Sequence, residues 1–310
     1  YEKQNMSLDV KYDLQKRTFF SVGFDQEDMK REHREVKDQN EKTLKLAFGH
    51  NSENANYMLS LTQSKRRFDS YDFTVPFHGV TPNAQIPLLR KYDEANRDRK
   101  SLGFMASYYP TDKWVVSTSF NRGVDDFIDS QFGLLEDNHY NVGLDLDYRL
   151  DNRSSIYTFV NFEKYQSKQK GRQWSPGGVG DPYDVSAAID ETSNWNFDNE
   201  DKYKTYGIGF KRILKPNKLS MDLSFSRSES DGNGGFFSLV GSDEVDSNPF
   251  EPADFSEMDD TQLDSFKLNL KYKTSKDREV ILGFRNEKFE NKDFTRPSVN
   301  VPTTSSGSTQ

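Results

Sequence analysis

Histidine and cysteine, the residues most often used for metal and thiol chemistry, are scarce in this sequence. The four histidines have neither i,i+4 pairing nor the carboxylate spacing of a zinc site, so loop or strand-end positions explain them better than metal or haem ligation. They are His33, His50, His78 and His139. The chain has no cysteine, which excludes disulfides, thiol catalysis, iron–sulfur ligation and C-x-x-C-H haem attachment within it.

Two glycine-rich stretches and one acidic segment are the other candidates for ligand binding. Stretches 177–180 and 230–235 neither follow a buried parallel strand nor open a helix, so they predict flexible loops rather than phosphate cradles. Residues 229–260 hold ten carboxylates and no lysine or arginine. This segment is either a solvated acidic loop that could dock a basic partner or a weak calcium site. The loose metal candidates are Asp243, Glu244 and Asp246.

Charge and hydropathy narrow the class of protein. The net charge is −8 and the pI about 5.2, which argues against nucleic acid as a partner. The mean hydropathy is −0.92, and no stretch approaches the roughly 20 apolar residues of a spanning helix. A basic run at 65–67 (Lys65, Arg66, Arg67) follows a predicted strand and is open to two interpretations. It either binds anionic lipopolysaccharide groups or keeps the rim soluble. The sequence predicts no catalytic residue and no cofactor bound by this chain.

Alternation of apolar and polar residues is the dominant pattern. Residues 140–162 read YNVGLDLDYRLDNRSSIYTFVNF, which is two strands around a tight turn with one apolar face each. Comparable runs recur along the whole chain. They predict twelve strands, at 5–13, 17–27, 41–50, 55–65, 99–109, 113–122, 139–149, 154–165, 203–213, 217–228, 264–273 and 279–289.

The predicted connections alternate between short and long. Turns of three to five residues join the strands in six hairpins, and the longer connections are 28–40, 66–98, 123–138, 166–202 and 229–263. An outer-membrane barrel has this arrangement, with short periplasmic turns and long extracellular loops. A soluble sandwich has no physical reason to place all its long loops at one end.

Each predicted strand has one face without charge, in a chain that is 30% charged. A charge at the bilayer midplane costs about 2–4 kcal/mol, so this face suits lipid. The opposite face is polar and would line the lumen. Its predicted partner-contacting residues are Asp9, Lys11, Lys45, Asp145, Asp147, Asp222, Lys267, Lys271 and Arg285.

Strand length and aromatic placement separate lipid from a protein core. About ten residues tilted by about 40° span roughly 25 Å, the height of an outer-membrane apolar band. Tyrosine and tryptophan favour membrane–water interfaces, and they cluster beside the short turns. The predicted periplasmic-side aromatic girdle consists of Tyr12, Tyr108, Trp114, Tyr148 and Tyr272.

These patterns predict an all-β fold, an antiparallel up-and-down transmembrane β-barrel in the bacterial outer membrane. Residues 1–289 form the barrel portion of about twelve strands. Residues 290–310 are polar and Ser/Thr-rich and begin a further loop or tail. No signal peptide is visible, so we expect a mature protein or a piece of a larger barrel. A soluble β-rich adhesin is the alternative fold class.

Several stretches resemble a known family. Residues 88–120 contain Lys91-Tyr92-Asp93 and then Asn96-Arg97-Asp98-Arg99, a strand, YPT and another strand. Together with the hairpin at 12–32 and the stretch FGLLEDNHYNVGLDLDY at 132–148, this run resembles the MtrB/PioB family of decahaem-associated outer-membrane proteins. The similarity covers most of the chain and corresponds to the hairpin-rich central portion of that family's barrel.

The resemblance implies a function. Barrels of this family sheathe a periplasmic multihaem c-type cytochrome in the lumen, often with an extracellular multihaem cytochrome as a further partner. Electrons then cross the outer membrane through the partner's haems, and the barrel itself carries none. Outer-membrane lipid is the other expected partner. The alternatives are a porin or the barrel of a TonB-dependent receptor, and an outer-membrane hydrolase, which we do not expect.

Overall fold

The computed structural model describes residues 1–72, 88–172, 194–238, 253–255, 259–275 and 278–293. Fourteen strands form one sheet within these residues. They are β1 (Glu2–Gln15), β2 (Thr18–Lys30), β3 (Asp38–Asn51), β4 (Ala55–Phe68), β5 (Leu89–Arg90), β6 (Arg97–Thr111), β7 (Trp114–Phe127), β8 (Phe132–Asp151), β9 (Ser154–Arg172), β10 (Asn194–Lys215), β11 (Leu219–Ser238), β12 (Ala253–Phe255), β13 (Asp259–Lys273) and β14 (Glu279–Asp293). No helix in this part of the chain is long and apolar enough to cross a membrane.

The strand order is that of an up-and-down meander. Twelve strands pair in the order β1-β2-β3-β4-β6-β7-β8-β9-β10-β11-β13-β14, and every one of these pairings is antiparallel. The two short strands lie off this path, with β5 parallel to β8 and β12 antiparallel to β11. The predicted all-β antiparallel architecture is confirmed. No pairing joins β1 to β14 within the described ranges, so the sheet is open here.

The register places apolar residues opposite apolar residues across the sheet. Val22 faces Val10 on one side and Leu46 on the other, and Leu61 then faces both Leu46 and Leu102. Directly opposed residues share a face, so each hairpin continues the same apolar surface. We call this surface the apolar belt. It comprises the apolar residues at even-numbered positions of the long strands, and at odd-numbered positions of β4 and β11, from Met6 in β1 to Phe284 in β14. The other face of the sheet is the polar wall.

The apolar belt is not covered by a second layer in the described structure. Leu8, Leu61, Ile208 and Leu282 are 63%, 47%, 54% and 67% exposed. Among the described residues, the buried hydrophobic side chains are Val36, Ala95, Phe127 and Phe132, all near the long-connection end. A sandwich buries its apolar faces against each other, whereas a membrane barrel leaves them to lipid. The sandwich alternative is therefore wrong.

The strands are longer than the hydrophobic pattern predicts. Strands β8 to β11 have 20, 19, 22 and 20 residues, about twice the ten or so that a tilted strand needs to cross the membrane. The predicted loop 123–138 is mostly strand, because β7 runs to Phe127 and β8 starts at Phe132. Above the belt both faces are polar and the strands still pair, so hydrophobic alternation gives no signal there.

Candidate functional site

The polar wall is the candidate functional surface, because a barrel turns its polar face inward. All nine predicted lumen residues lie on this face in the paired register. They do not form one site. Asp145 and Asp147 lie on β8, whereas Lys267, Lys271 and Arg285 lie on β13 and β14, about 19 and 24 Å away along the sheet at about 4.8 Å per strand.

Charges near the first hairpins neutralise one another. Lys45 forms an ion pair with Asp25, and the carboxylate of Asp9 lies over Gly23, which it faces in the register. Lys11 is 3.5 Å from the carboxylate of Asp13. This part of the wall is therefore balanced in charge.

The basic side of the wall is different, because like charges face each other there. Lys267 lies directly opposite Arg285 in the β13–β14 register. Arg285 pairs with Glu287, while Lys267 has no carboxylate within 4.0 Å in the described part of the chain. Directly opposed like charges destabilise a sheet. This pair therefore favours a negatively charged group in front of the wall.

A hollow of about 650 Å³ opens at the short-turn end of the wall. Its polar lining includes Lys211, Asp222, Asn269 and Lys271. The hydroxyl of Tyr157 donates a hydrogen bond of 3.2 Å to Asp222, and the ammonium of Lys211 lies 4.5 Å from the centroid of the Tyr157 ring. Two predicted partner-contacting residues, Asp222 and Lys271, thus lie in one hollow together with Lys211 of the polar face.

Several glycines of the wall lie beneath aromatic rings of the neighbouring strand. A Cβ atom at Gly209 would overlap the ring of Tyr157, and one at Gly49 would overlap the ring of Phe19. The absence of a side chain is therefore what lets each ring lie flat across the strand. At these two positions, a ring contact within the chain explains the glycine.

The long-connection end contains a dense set of ion pairs, which we call the rim cluster. It is formed by Arg34, Glu35, Glu41, Arg66, Lys91, Asp93, Glu94, Arg97, Arg99 and Asp125. Arg99 donates two hydrogen bonds of 2.6 and 2.5 Å to Asp125, which is 6% exposed. Arg97 reaches Glu41 at 2.8 Å and Asp125 at 3.5 Å. The cluster joins strands β3, β4, β6 and β7 on the polar side.

Segment 88–96 packs over the rim cluster at the long-connection end of the sheet. Glu94 and Ala95 are fully buried, and Arg66 donates a 3.2 Å hydrogen bond to the carbonyl oxygen of Ala95. Asn96 binds both carboxylate oxygens of Asp129 at 2.8 Å, through its backbone and side-chain nitrogens. Segment 88–96 therefore covers part of the polar side at this end of the sheet.

The carboxyl of Glu94 has an unusual pKa. Burial away from water, together with the neighbouring Glu35 carboxyl, raises its pKa to about 7 from an ordinary 4.5, against the opposing effect of Arg34. Its Oε2 atom is buried and has no hydrogen-bond partner in the described structure. A protonated Glu94 carboxyl can donate a hydrogen bond to the neighbouring Glu35 carboxylate. The sequence analysis missed this group because alternation does not report on loops, although the density of Arg and Asp at 90–99 was a signal.

The remaining predicted residues are placed as follows. The aromatic residues Tyr12, Tyr108, Trp114, Tyr148 and Tyr272 lie at the short-turn end of the apolar belt, and the rings of Trp114 and Tyr148 are 4.4 Å apart. Their role as an interfacial girdle stays a prediction. Asp243, Glu244 and Asp246 lie outside the described residues. Within the described ranges, no group of three His, Asp or Glu residues could hold a metal ion.

Known proteins agree with this architecture. Residues 1–308 match the MtrB/PioB family of outer membrane beta-barrel porins. The chain belongs to the MtrB/PioB family. It is 26% identical over 147 residues to the outer membrane protein MtrB of Shewanella baltica (strain OS185), a match that covers 47% of this chain and 19% of that protein. The family is one of outer-membrane barrels rather than enzymes, and the predicted outer-membrane location is confirmed.

Solved structures show the same fold at low sequence identity. The ferric yersiniabactin uptake receptor FyuA from Yersinia pestis has a TM-score of 0.54 and 10% identity, covering 94% of this chain and 52% of the receptor. The ferric-catecholate import receptor Fiu from E. coli K12 has a TM-score of 0.51 and 9% identity, covering 93% and 58%. The MtrB/PioB chain thus spans about half the length of these barrels and about a fifth of the curated relative.

Proposed function

We propose that this MtrB/PioB chain forms part of a barrel wall that sheathes a multihaem c-type cytochrome in the outer membrane. The apolar belt meets lipid, and the polar wall supplies contacts to the inserted protein. The barrel carries no electrons itself. It lets a water-soluble chain of haems lie across a bilayer that the cytochrome could not enter alone.

The observation that carries the proposal is the set of unpaired charges on the polar wall. Asp145, Asp147, Lys211 and Lys267 all face the lumen, and none of them has an ion-pair partner among the described residues. A protein surface of matching pattern would neutralise them and fix its own register against the wall.

The difference between the two ends of the polar wall supports a direction from which the cytochrome would enter. The short-turn end, which in outer-membrane barrels faces the periplasm, has the open hollow of about 650 Å³. The other end is narrowed by segment 88–96, with Glu94 and Ala95 fully buried. A periplasmic partner would enter from the open end and stop against the rim cluster.

The first experiment is affinity purification of the full-length protein from its native membrane, followed by haem staining. We expect a haem-containing protein in stoichiometric amount. Purified barrel without any haem protein would contradict the proposal.

A variant with two charges removed tests whether the polar wall itself contacts the haem protein. Lys267→Gln with Arg285→Gln removes two opposed cations, and the relief of their repulsion should leave folding intact. Haem recovery per barrel should fall by about tenfold if the pair contacts the partner. The control is Lys164→Gln with Lys202→Gln, two lysines on the outward side that already pair with Glu200 at 2.7 Å. Equal recovery from both variants would contradict a role of the wall charges.

A transport barrel is the second candidate. The fold similarity to the two ferric-siderophore receptors and the family description as porins favour it. Conductance of the full-length protein in planar bilayers separates the two functions. A sheath conducts ions only after its partner is removed, whereas a porin conducts in the state in which it is purified.

A further inference from the structure

A groove on the outward face combines an apolar floor with two cations. Its volume is about 390 Å³, and it crosses strands β3, β4, β6 and β7. Leu44, Leu46, Leu61 and Leu102 supply the apolar floor. We call it the leucine groove. It lies at the upper margin of the apolar belt, where lipid acyl chains give way to headgroups.

Two cations of the groove come from neighbouring strands. Lys100 of β6 faces Gln63 on one side and Val124 on the other, and Arg122 of β7 faces Leu102. Both side chains are exposed and line the groove. They therefore flank the apolar floor from the side nearest the rim.

Two further lysines extend the positive charge along the same face. Lys42 lies directly opposite Lys65 in the β3–β4 register, and both are exposed. Like charges that face each other across strands repel, so an anion between them would be favourable. The positive patch lies on a chain whose net charge is −8.

Two of the carboxylates near this patch have other partners. Asp98 lies opposite Lys65 in the register but forms its ion pair with Arg67. Asp28 accepts a 2.6 Å hydrogen bond from Asn40. Within the described residues no carboxylate lies within 4.0 Å of Lys42, Lys65, Lys100 or Arg122. Four cations are thus available to a ligand from outside the chain.

The basic run at 65–67 is only partly involved. Arg66 is 9% exposed and turns to the polar side, where it binds the carbonyl oxygens of Tyr92 and Ala95. Arg67 is paired with Asp98. Of the three residues, Lys65 alone is exposed and unpaired in the described structure, so the run as a whole is not the lipid site. The site is assembled from four strands.

We infer that the leucine groove binds an anionic membrane lipid through its phosphate groups and acyl chains. The phosphates lie between Lys100 and Arg122, with Lys42 and Lys65 providing further charge. The acyl chains lie on the leucine floor. The ligand is a phosphorylated lipid of the leaflet on the long-connection side, and this inference does not depend on the sheath function.

The test uses full-length protein in detergent with lipid A as the phosphorylated probe. Lys100→Gln with Arg122→Gln should weaken binding by about 25-fold, since each cation near an anionic lipid surface contributes about fivefold. Neither side chain makes an ion pair or hydrogen bond in the described structure, so the variant should fold normally. Circular dichroism and heat-dependent gel migration check that it does.

Three comparisons make the outcome decisive. Lys164→Gln with Lys202→Gln removes the same charge from two lysines that are already ion-paired, and binding should change by no more than about twofold. Dephosphorylated lipid A should bind the native protein as weakly as lipid A binds the double variant. Inorganic phosphate should compete poorly, because it cannot use the leucine floor. Equal binding of the two lipids, equal loss in both variants or full competition by phosphate would each overturn the inference.

Discussion

The rim cluster and the apolar belt are built on the same strands, yet they are held together in opposite ways. In β7, Asp125 is 6% exposed among arginines, whereas Trp114 at the other end of the strand is 40% exposed. The rim cluster is stable because its charges are paired with one another. The belt is stable because it has no charges to pair. The same strand is therefore stabilised by ion pairs at its rim end and by apolar contact with lipid along the belt. The change occurs where the lipid-facing part of the strand ends.

This comparison predicts the largest effect for the loss of Asp125. Asp125→Ala leaves Arg97 and Arg99 without their shared carboxylate in a buried position. Breaking a buried ion pair costs about 3–5 kcal/mol, so local opening of the rim should become much easier. Hydrogen exchange of residues 88–99 in the full-length protein measures this. The control is Asp126→Ala, the exposed neighbour on the other face, which should leave exchange unchanged.

The apolar belt should be destabilised by adding a charge, whereas the rim cluster is destabilised by removing one. Leu144→Arg places a cation among lipid chains and should destabilise the barrel by about 2–4 kcal/mol. Asp145→Arg changes the adjacent residue on the polar wall and should have little effect on stability. Urea titration of both variants in lipid vesicles provides the comparison. Similar losses of stability would mean that the two faces do not differ in environment.

The glycine beneath Tyr157 predicts a smaller effect on the polar wall. Gly209→Ala forces the ring away from the strand, and such overpacking costs about 1–3 kcal/mol. Gly283→Ala is the matched control, since its new Cβ would meet only Asn269 Oδ1 at 3.1 Å. The same urea titration measures both. Equal effects would indicate that the ring does not require the glycine.

The last prediction is a pH dependence of the rim cluster. Because burial raises the Glu94 pKa to about 7, the closed rim holds a proton that an open segment with a pKa of 4.5 releases. The free energy of opening should therefore fall between about pH 4.5 and 7, by at most about 1.4 kcal/mol per pH unit, and stay level above pH 7.

Hydrogen exchange of residues 88–96, corrected for its intrinsic dependence on pH, tests this direction. Glu94→Gln should make the corrected protection independent of pH in that window, because the amide does not titrate. Protection that rises with pH in the native protein would contradict the assignment.

The sequence predicts the belt well and the rim poorly, for a physical reason. Lipid excludes charge from the outward positions of the belt, such as the facing residues Phe20 and Phe48. The alternation of apolar and polar residues therefore reveals the belt directly. Above the belt water is present on both faces, and strands such as β8 continue by backbone pairing alone. Twelve strands were predicted correctly, whereas their outer extensions were assigned to loops.

Some of the candidate sites could be predicted from the sequence and others could not. The nine wall residues follow from alternation, because the polar face of each strand is fixed by its apolar face. The charges in the short-turn hollow, the rim cluster and the leucine groove depend on which residues of distant hairpins become neighbours. Arg34 and Glu94 are 60 positions apart, and periodicity within either segment does not indicate their contact.

The most direct test of the central claim uses spin labels on two adjacent residues of β8 in the full-length protein. The sequence of 310 residues has no cysteine, so Cys substitutions at Leu144 and Asp145 each add one labelling site to it. The label at position 144 should be accessible to oxygen from lipid, with or without the cytochrome. The label at position 145 should be accessible to a water-soluble relaxant in the empty barrel and should become immobile and protected when the cytochrome is present. Equal behaviour of the two labels would contradict the lipid-out arrangement, and an unchanged signal at position 145 would contradict the sheath.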